Sequence, residues 1–117
     1  LQYTYVRTKS VLEKAGYLPK IEDVKAEKLQ DEYSRNIIKL LYNFEDVLIQ
    51  VTEKNEPSIL SRYLIDLAKA FSSFYNENKI IVDDKELQDA RIYLTYAAGK
   101  VLKEGASLLG IEMPEKM

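Results

Sequence analysis

Hydrophobic side chains recur every three or four residues along most of the chain, which is the spacing of one face of an α-helix. The clearest stripe follows Pro57, a residue that suits the first turn of a helix, and it ends near Asn76. This spacing predicts a long amphipathic helix whose inner face carries Ile59, Leu60, Tyr63, Leu64, Leu67, Ala68, Phe71, Phe74 and Tyr75.

A second strong stripe follows Asp84, whose side chain suits the N-cap of a helix. Gly105 lies on this stripe, where the missing side chain would let another helix approach closely. Gly110 is a typical residue after a helix C-terminus, and Pro114 prevents any continuation, so residues 111–117 are predicted to form an extended tail. The stripe consists of Leu87, Ala90, Leu94, Ala97, Ala98, Val101, Leu102, Leu108 and Leu109.

Three further helices are predicted in the first half of the chain. A second helix is expected from Ala26 to Tyr42, and a shorter third helix begins where Asn43 and Asp46 suit an N-cap. The first helix is predicted over residues 1–15 and ends at Gly16, and its apolar side carries Leu1, Tyr5, Thr8 and Leu12. Because this helical pattern opens directly at the first residue, we expect the chain to be a segment of a longer protein.

The composition agrees with an all-α protein. Only four glycines and three prolines interrupt 117 residues, and 46% of the residues are hydrophobic, which favours long helices in a folded domain. The sequence therefore predicts a five-helix bundle that forms a single domain over residues 1–117. No apolar run approaches the length of a membrane span and no signal peptide precedes the helices, so we expect a cytoplasmic protein with no membrane partner.

Charge and side-chain chemistry exclude several kinds of function. The chain has no cysteine and no histidine, which excludes disulfides, a catalytic thiol, a cysteine–histidine zinc site and a Ser-His-Asp triad. We predict no catalytic residue and no metal site. The net charge of −2 argues against a duplex DNA binder, although recognition of a few unpaired bases stays possible because stacking contributes much of such binding.

Three segments resemble the C-terminal anticodon-binding domain of arginyl-tRNA synthetases, which are class I aminoacyl-tRNA synthetases. The segment EPSILSRYLIDLAKAFSSFYNEN is similar to the central helix of that domain, and LQDARIYLTYAAGKVLKEGASLLGIEMPEKM is similar to its last helix and tail. The start, LQYTYVRTKSVLEKAG, resembles the helix that leaves the catalytic domain. The family is named for an Asp-Ala-Leu-Arg string, and this chain departs from it with Asp89-Ala90-Arg91-Ile92.

The resemblance implies five anticodon-binding residues. Tyr3 and Arg7 match a tyrosine and an arginine that contact the anticodon loop, and Tyr75 matches a tyrosine with a stacking role. Some relatives carry a further aromatic residue where this chain has Lys79, which we expect to contact a phosphate instead. Met117 matches a terminal methionine that lies against the anticodon bases.

Four of these five residues also have a purely structural explanation. Tyr3 and Arg7 lie one turn apart opposite the apolar stripe, where a solvated helix face is common. Tyr75 ends its apolar row, so it could be a core aromatic with a hydroxyl at the rim, and Met117 could be a frayed terminus.

The resemblance also implies what the segment does not do. The chain has no His-Ile-Gly-His-like string and no Lys-Met-Ser-Lys-like string, so catalysis and the ATP used by the parent enzyme belong to another part of that enzyme. We expect no cofactor in this segment, and we expect its partners to be the anticodon loop of arginine tRNA and the catalytic domain of the same chain. The alternative is a helical protein-interaction module with no role in RNA binding.

Overall fold

The computed structural model describes residues 1–111 and 113, and over this part of the chain every regular element is helical. It contains four α-helices, which are α1 (Gln2–Ala15), α2 (Glu32–Lys54), α3 (Pro57–Glu77) and α4 (Lys85–Leu108). Two single turns of 3-10 helix, Ile21–Asp23 and Ala26–Lys28, lie between α1 and α2. The all-α prediction is confirmed, whereas the prediction of five helices is wrong.

The error lies in α2, which is one continuous helix. Asp31 caps its start by accepting a 3.0 Å hydrogen bond from the Ser34 N–H, so the helix begins later than the predicted Ala26. Asn43 and Asp46, predicted to cap a separate helix, are exposed residues in its interior. The inward-facing residues keep helical spacing straight through that point: Ile37, Leu40, Leu41, Phe44, Val47, Leu48 and Val51. The prediction fails because asparagine and aspartate on the exposed face of a helix cannot be distinguished by residue type from the same residues acting as an N-cap.

Helix α3 contributes a large part of the core. Seven of its residues are buried, and α2 packs antiparallel to it after a turn at Asn55, whose φ of 54° reverses the chain. The ring of Tyr63 stacks on Phe44 at 5.7 Å between centroids, and its hydroxyl donates a hydrogen bond to the carbonyl of Leu40. Burial raises the pKa of Tyr63 to about 12, because the charged form would be poorly solvated.

The first helix packs against the last. Thr8 of α1 is fully buried, and a Cβ added at Gly99 of α4 would lie only 2.6 Å from the Thr8 Oγ1. A Cβ at Gly105 would lie 2.6 Å from a methyl group of Leu64, which confirms the predicted close approach of another helix there. With Tyr5 and Thr8 directed inward, the opposite face of α1 is left on the surface.

The end of α4 is also as predicted. Gly110 has a φ of 79°, and the Ile111 N–H donates to the carbonyl of Ala106 at 2.9 Å, which together form a Schellman-type cap. Met113 is half-buried against the core. The rest of the predicted tail, residues 112 and 114–117, lies outside the described residues. Within the described part of the chain, no helix is both long and apolar enough to cross a membrane.

Candidate functional site

The exposed face of α1 carries an arginine held against a tyrosine ring. Tyr3 has 59% of its surface exposed, and Arg7 lies one turn further along the helix. The guanidinium carbon of Arg7 is 4.7 Å from the centroid of the Tyr3 ring, and one of its terminal nitrogens donates a hydrogen bond to the Tyr3 hydroxyl. Tyr3 and Arg7 are therefore in direct contact with each other on the surface of α1.

A second tyrosine reaches the same arginine from α3. The Arg7 guanidinium carbon lies 4.5 Å from the centroid of the Tyr75 ring, and Tyr75 itself packs on Phe71 with ring centroids 6.3 Å apart. Cation–π contacts of this kind are worth about 0.5–1 kcal/mol each at exposed sites. The guanidinium group is therefore held in place by rings from two different helices.

These side chains line an open cleft between α1 and α3. Its first part is a cavity of 380 Å³ lined by Tyr3, Val6, Arg7, Ser10, Val11, Lys14 and Tyr75. A second cavity of 570 Å³ adjoins it along residues 76–81 and shares Val11, Lys14 and Tyr75 with it. We call the two cavities together the α1–α3 cleft. Its charged lining residues are three cations and one carboxylate: Arg7, Lys14, Lys79 and Glu77.

The structure brings four of the five predicted binding residues to this cleft. Tyr3, Arg7 and Tyr75 are in mutual contact through the guanidinium group, and the exposed Lys79 lines the adjoining cavity. Met117 lies outside the described residues. The proximity of Tyr3, Arg7 and Tyr75 is a finding about geometry, and the RNA contacts predicted for all five residues stay predictions.

Sequence reasoning missed two residues near the cleft. Lys14 lines both cavities, and its spacing of seven residues from Arg7 on the exposed face of α1 was the signal that it belongs there. Arg91 of α4 donates a 2.6 Å hydrogen bond to the carbonyl of Lys79, and therefore holds the backbone that forms one side of the cleft. No local pattern could reveal Arg91, because the contact depends on how α4 packs beside the end of α3.

The arrangement suits binding of planar groups with hydrogen-bond acceptors. Exposed rings offer flat surfaces for stacking, and guanidinium and ammonium groups offer donors to acceptor atoms and phosphates. Among the described residues, no group of three or more acidic side chains is placed to hold a metal ion. Tyr93 and Tyr96, outside the cleft, are half-buried with ring centroids 5.6 Å apart.

The structure is that of an all-helical domain, over the described residues, with a cleft lined by tyrosine and arginine side chains. Comparison with known families is more specific: the chain belongs to the DALR anticodon binding domain family, whose model matches residues 1–117. The resemblance noted in the sequence is thereby confirmed.

Individual relatives agree with the family. The arginine–tRNA ligase of Halothermothrix orenii is 51% identical over an alignment of 118 residues, which covers all of this chain and 20% of the relative. Among solved structures, the Thermus thermophilus arginyl-tRNA synthetase superposes with a TM-score of 0.87 at 28% identity, covering 99% of this chain and 20% of that one. A putative arginyl-tRNA synthetase from Campylobacter jejuni gives a TM-score of 0.81 at 32% identity, with 99% and 25% covered. The chain thus spans about a fifth of the length of the curated relatives it matches.

Proposed function

We propose that this chain is the anticodon-recognition domain of an arginine–tRNA ligase and that the α1–α3 cleft binds the anticodon loop of arginine tRNA. Membership of the anticodon-binding family and the names of the relatives support the general role. The observation that carries the assignment of the cleft is the Arg7 guanidinium in contact with the exposed rings of Tyr3 and Tyr75.

The chemistry of the cleft fits the bases it would meet. All arginine codons share a middle guanine, so arginine tRNAs share a middle cytosine in the anticodon. An unpaired cytosine presents acceptors at O2 and N3, which the N–H groups of Arg7 can serve, and a donor at N4 that a main-chain carbonyl can accept. Stacking on an aromatic side chain contributes about 1–3 kcal/mol per base, and Tyr3 and Tyr75 are the two rings available for it.

The flanking cations are proposed to position the RNA backbone. Lys14 and Lys79 line the cleft, and an ammonium group is a compact point charge that suits contact with phosphates better than planar recognition of bases. We propose that Met117 packs against the anticodon bases, since a thioether fills irregular apolar gaps well. Recognition would then combine stacking, base-edge hydrogen bonds and phosphate contacts.

Catalysis is assigned to the part of the full-length protein outside this chain. The chain lacks the histidine-containing and Lys-Met-Ser-Lys-like strings of the class I catalytic domain, so ATP and arginine would bind elsewhere. We propose that the full-length protein works in the cytoplasm, and that this domain contacts its catalytic domain as well as the tRNA.

Substitution of Arg7 tests the proposed role of the cleft. In the full-length protein, Arg7→Ala should weaken binding of arginine tRNA by about 1–3 kcal/mol, the usual value of a direct base contact. The loss should largely disappear when the middle cytosine of the anticodon is replaced, because that contact is then already missing. The measurement is a gel-shift or anisotropy titration of both variants with both tRNAs.

Arg62→Ala is a matched control. Arg62 is an exposed arginine in the first half of α3 that lines a different surface from the cleft, so its removal changes the charge by the same amount without touching the proposed site. Its tRNA affinity should stay within about twofold of wild type, as surface charges contribute little. If the wild-type protein binds both tRNAs equally, the domain does not recognise the anticodon and the protein-interaction alternative is favoured.

A further inference from the structure

Arg91 joins the last helix to the segment that follows α3. One terminal nitrogen of its guanidinium donates to the carbonyl of Lys79 at 2.6 Å, and the other donates to the Asn78 side-chain oxygen at 3.0 Å. Arg91 is half-buried, and its Nε–H is buried without a hydrogen-bond partner among the described residues. An unpaired buried donor costs stability, so this side chain is not optimised for stability alone.

The partner of Arg91, Asn78, is itself the junction of two helix ends. Its N–H donates to the carbonyl of Phe74 at 3.0 Å and closes the last turn of α3. Its side-chain amide donates at 3.3 Å to Asp31, the residue that caps α2. Arg91, Asn78 and Asp31 therefore connect the end of α3, the start of α2 and the second turn of α4 in one network.

This network lies directly behind the α1–α3 cleft. Tyr75 is in the last turn of α3, three residues before Asn78, and Lys79 follows Asn78 immediately. The backbone held by Arg91 forms one side of the 570 Å³ cavity. The guanidinium charge also lies at the carbonyl end of α3, where a cation offsets the partial negative charge of the helix terminus.

We propose that Arg91 is a positioning residue for anticodon binding, which rests on the function proposed above. It fixes the last turn of α3 and the backbone of the segment after it, so that the Tyr75 ring keeps its place relative to Arg7. The Lys79 ammonium stands on a long flexible side chain and can reach a phosphate without this support. Arg91 contacts no base in this scheme. Its two parallel donors suit the task because a planar fork fixes both the distance and the orientation of the groups it holds.

Loss of the Arg91 guanidinium weakens the end of α3. The carbonyl of Lys79 and the side-chain oxygen of Asn78 lose their donors, so Asn78, which closes the last turn of α3, is no longer tied to α4 and that turn frays more readily. Fraying of the last turn moves the Tyr75 ring away from Arg7, which removes one stacking surface and one of the two rings that orient the guanidinium group. The expected defect is therefore in the recognition of bases, with the attraction for phosphates preserved.

The test compares Arg91→Gln and Arg91→Lys in the full-length protein. The probe is a fluorescein-labelled stem-loop RNA with an arginine anticodon, and a second stem-loop has its middle cytosine replaced. For Arg91→Gln, Kd for the arginine stem-loop should rise roughly tenfold, the loss of about one stacked base, and discrimination between the two loops should fall. Arg91→Lys keeps the charge and can donate to one of the two acceptors, but it lacks the planar fork, so it should recover part of the affinity.

Salt dependence and thermal melts separate positioning from other roles. The slope of log K against log salt should stay as in wild type for both variants, because no phosphate contact is lost. A uniform loss for both loops with a slope smaller by about one would mean that Arg91 binds a phosphate itself, and would overturn the proposal. A loss of RNA affinity that is fully explained by the fraction of unfolded protein in the melts would also overturn the proposal. If Arg91→Gln does not fold, Arg91→Lys alone gives the same comparison.

Arg62→Gln is the matched control, since Arg62 is an exposed arginine of α3 that lines a different surface. It should bind like wild type. The wild-type titration distinguishes the two proposals: if wild type does not discriminate between the loops, the proposed function fails. If wild type discriminates and Arg91→Gln does so equally well, only the role of Arg91 is refuted.

Discussion

Asp31 shows how a single side chain can serve two helices. Its carboxylate accepts hydrogen bonds from the N–H and the hydroxyl of Ser34, at 3.0 and 2.8 Å, and from the side chain of Asn78. Partial burial raises the pKa of the Asp31 carboxyl, but the hydrogen bonds from Ser34 and the nearby charge of Arg91 lower it more. The net pKa lies below its usual value of 3.8, so folding favours the charged form.

Replacement of Asp31 by alanine should make stability less dependent on pH. At neutral pH the variant should be about 1 kcal/mol less stable, the usual cost of losing an N-cap. The stabilising charge is fully present above the unfolded pKa of about 3.8 and is lost as the pH falls through the lower folded value. The difference between wild type and Asp31→Ala should therefore be constant from about pH 5 to 8 and shrink below about pH 4.

Urea unfolding at a series of pH values measures this difference. Asp31→Asn is the control, because asparagine caps a helix well but carries no charge, so it should keep most of the stability without the acid dependence. A gap between wild type and Asp31→Ala that persists unchanged to pH 2 would show that the carboxylate charge is unimportant.

At the scale of the helices, α2 allows a direct test between the expected and the observed structure. Asn43 lies on the exposed face in the middle of α2. If it were a cap, Asn43→Ala would cost about 1 kcal/mol. Because it is an interior residue, the substitution should instead raise the free energy of unfolding by about 0.5 kcal/mol, the gain in helix propensity. Chemical denaturation of the chain measures whether Asn43→Ala raises or lowers the free energy of unfolding. A lower value would contradict the continuous helix.

The sequence predicted those helices whose ends carry strong signals. Gly16, Pro57 and Asp84 mark the ends of α1, α3 and α4, and each of these helices was located correctly to within a few residues. Between Pro19 and Pro57 no glycine or proline marks a helix end, so the exposed polar residues Asn43 and Asp46 give the strongest boundary signal there, and that signal is wrong. Caps depend on backbone geometry, which polar composition alone does not specify.

The candidate site was only partly predictable for a similar reason. Helical spacing places Tyr3 and Arg7 on one exposed face of α1 without any knowledge of the fold. The inclusion of Tyr75 came from the resemblance to a family, since no spacing relates it to Arg7. The contacts of Tyr75 with Arg7 and of Arg91 with Lys79 both join separate helices, and only the packed structure reveals them.

For the molecule as a whole, the contact between Thr8 and Gly99 decides where α1 lies. Thr8 is fully buried and its hydroxyl donates to the Tyr5 carbonyl at 2.6 Å, so it has little freedom to move. A methyl group at Gly99 would meet both the Oγ1, at 2.6 Å, and the Cβ of Thr8, at 3.2 Å. Alanine at this position cannot be accommodated unless α1 moves away from α4.

Gly99→Ala should therefore destabilise the chain and disturb the cleft. Overpacking costs about 1–3 kcal/mol, and the higher helix propensity of alanine returns about 1 kcal/mol, so a net loss on the order of 1 kcal/mol is expected. In the double variant with Thr8→Ala, the new methyl group fills the space of the missing side chain, and much of the loss should be recovered. Thermal or urea unfolding of the four proteins of this cycle measures the coupling, and strictly additive effects would show that the two residues do not compete for space.

The packing of α1 against α4 also affects the order in which parts of this domain can fold during synthesis. A protein is synthesised from its N-terminus at about 5–20 residues per second, and the residues that cover the inner face of α1 are encoded near the other end of this chain. Tyr5 and Thr8 therefore leave the ribosome long before Gly99 exists, while α2 and α3 can already form their hairpin. Until α4 emerges, α1 lacks its larger packing partner and has only its smaller contact with α3 to hold Tyr3 and Arg7 beside Tyr75, so the cleft is among the last parts of this domain to be completed during translation.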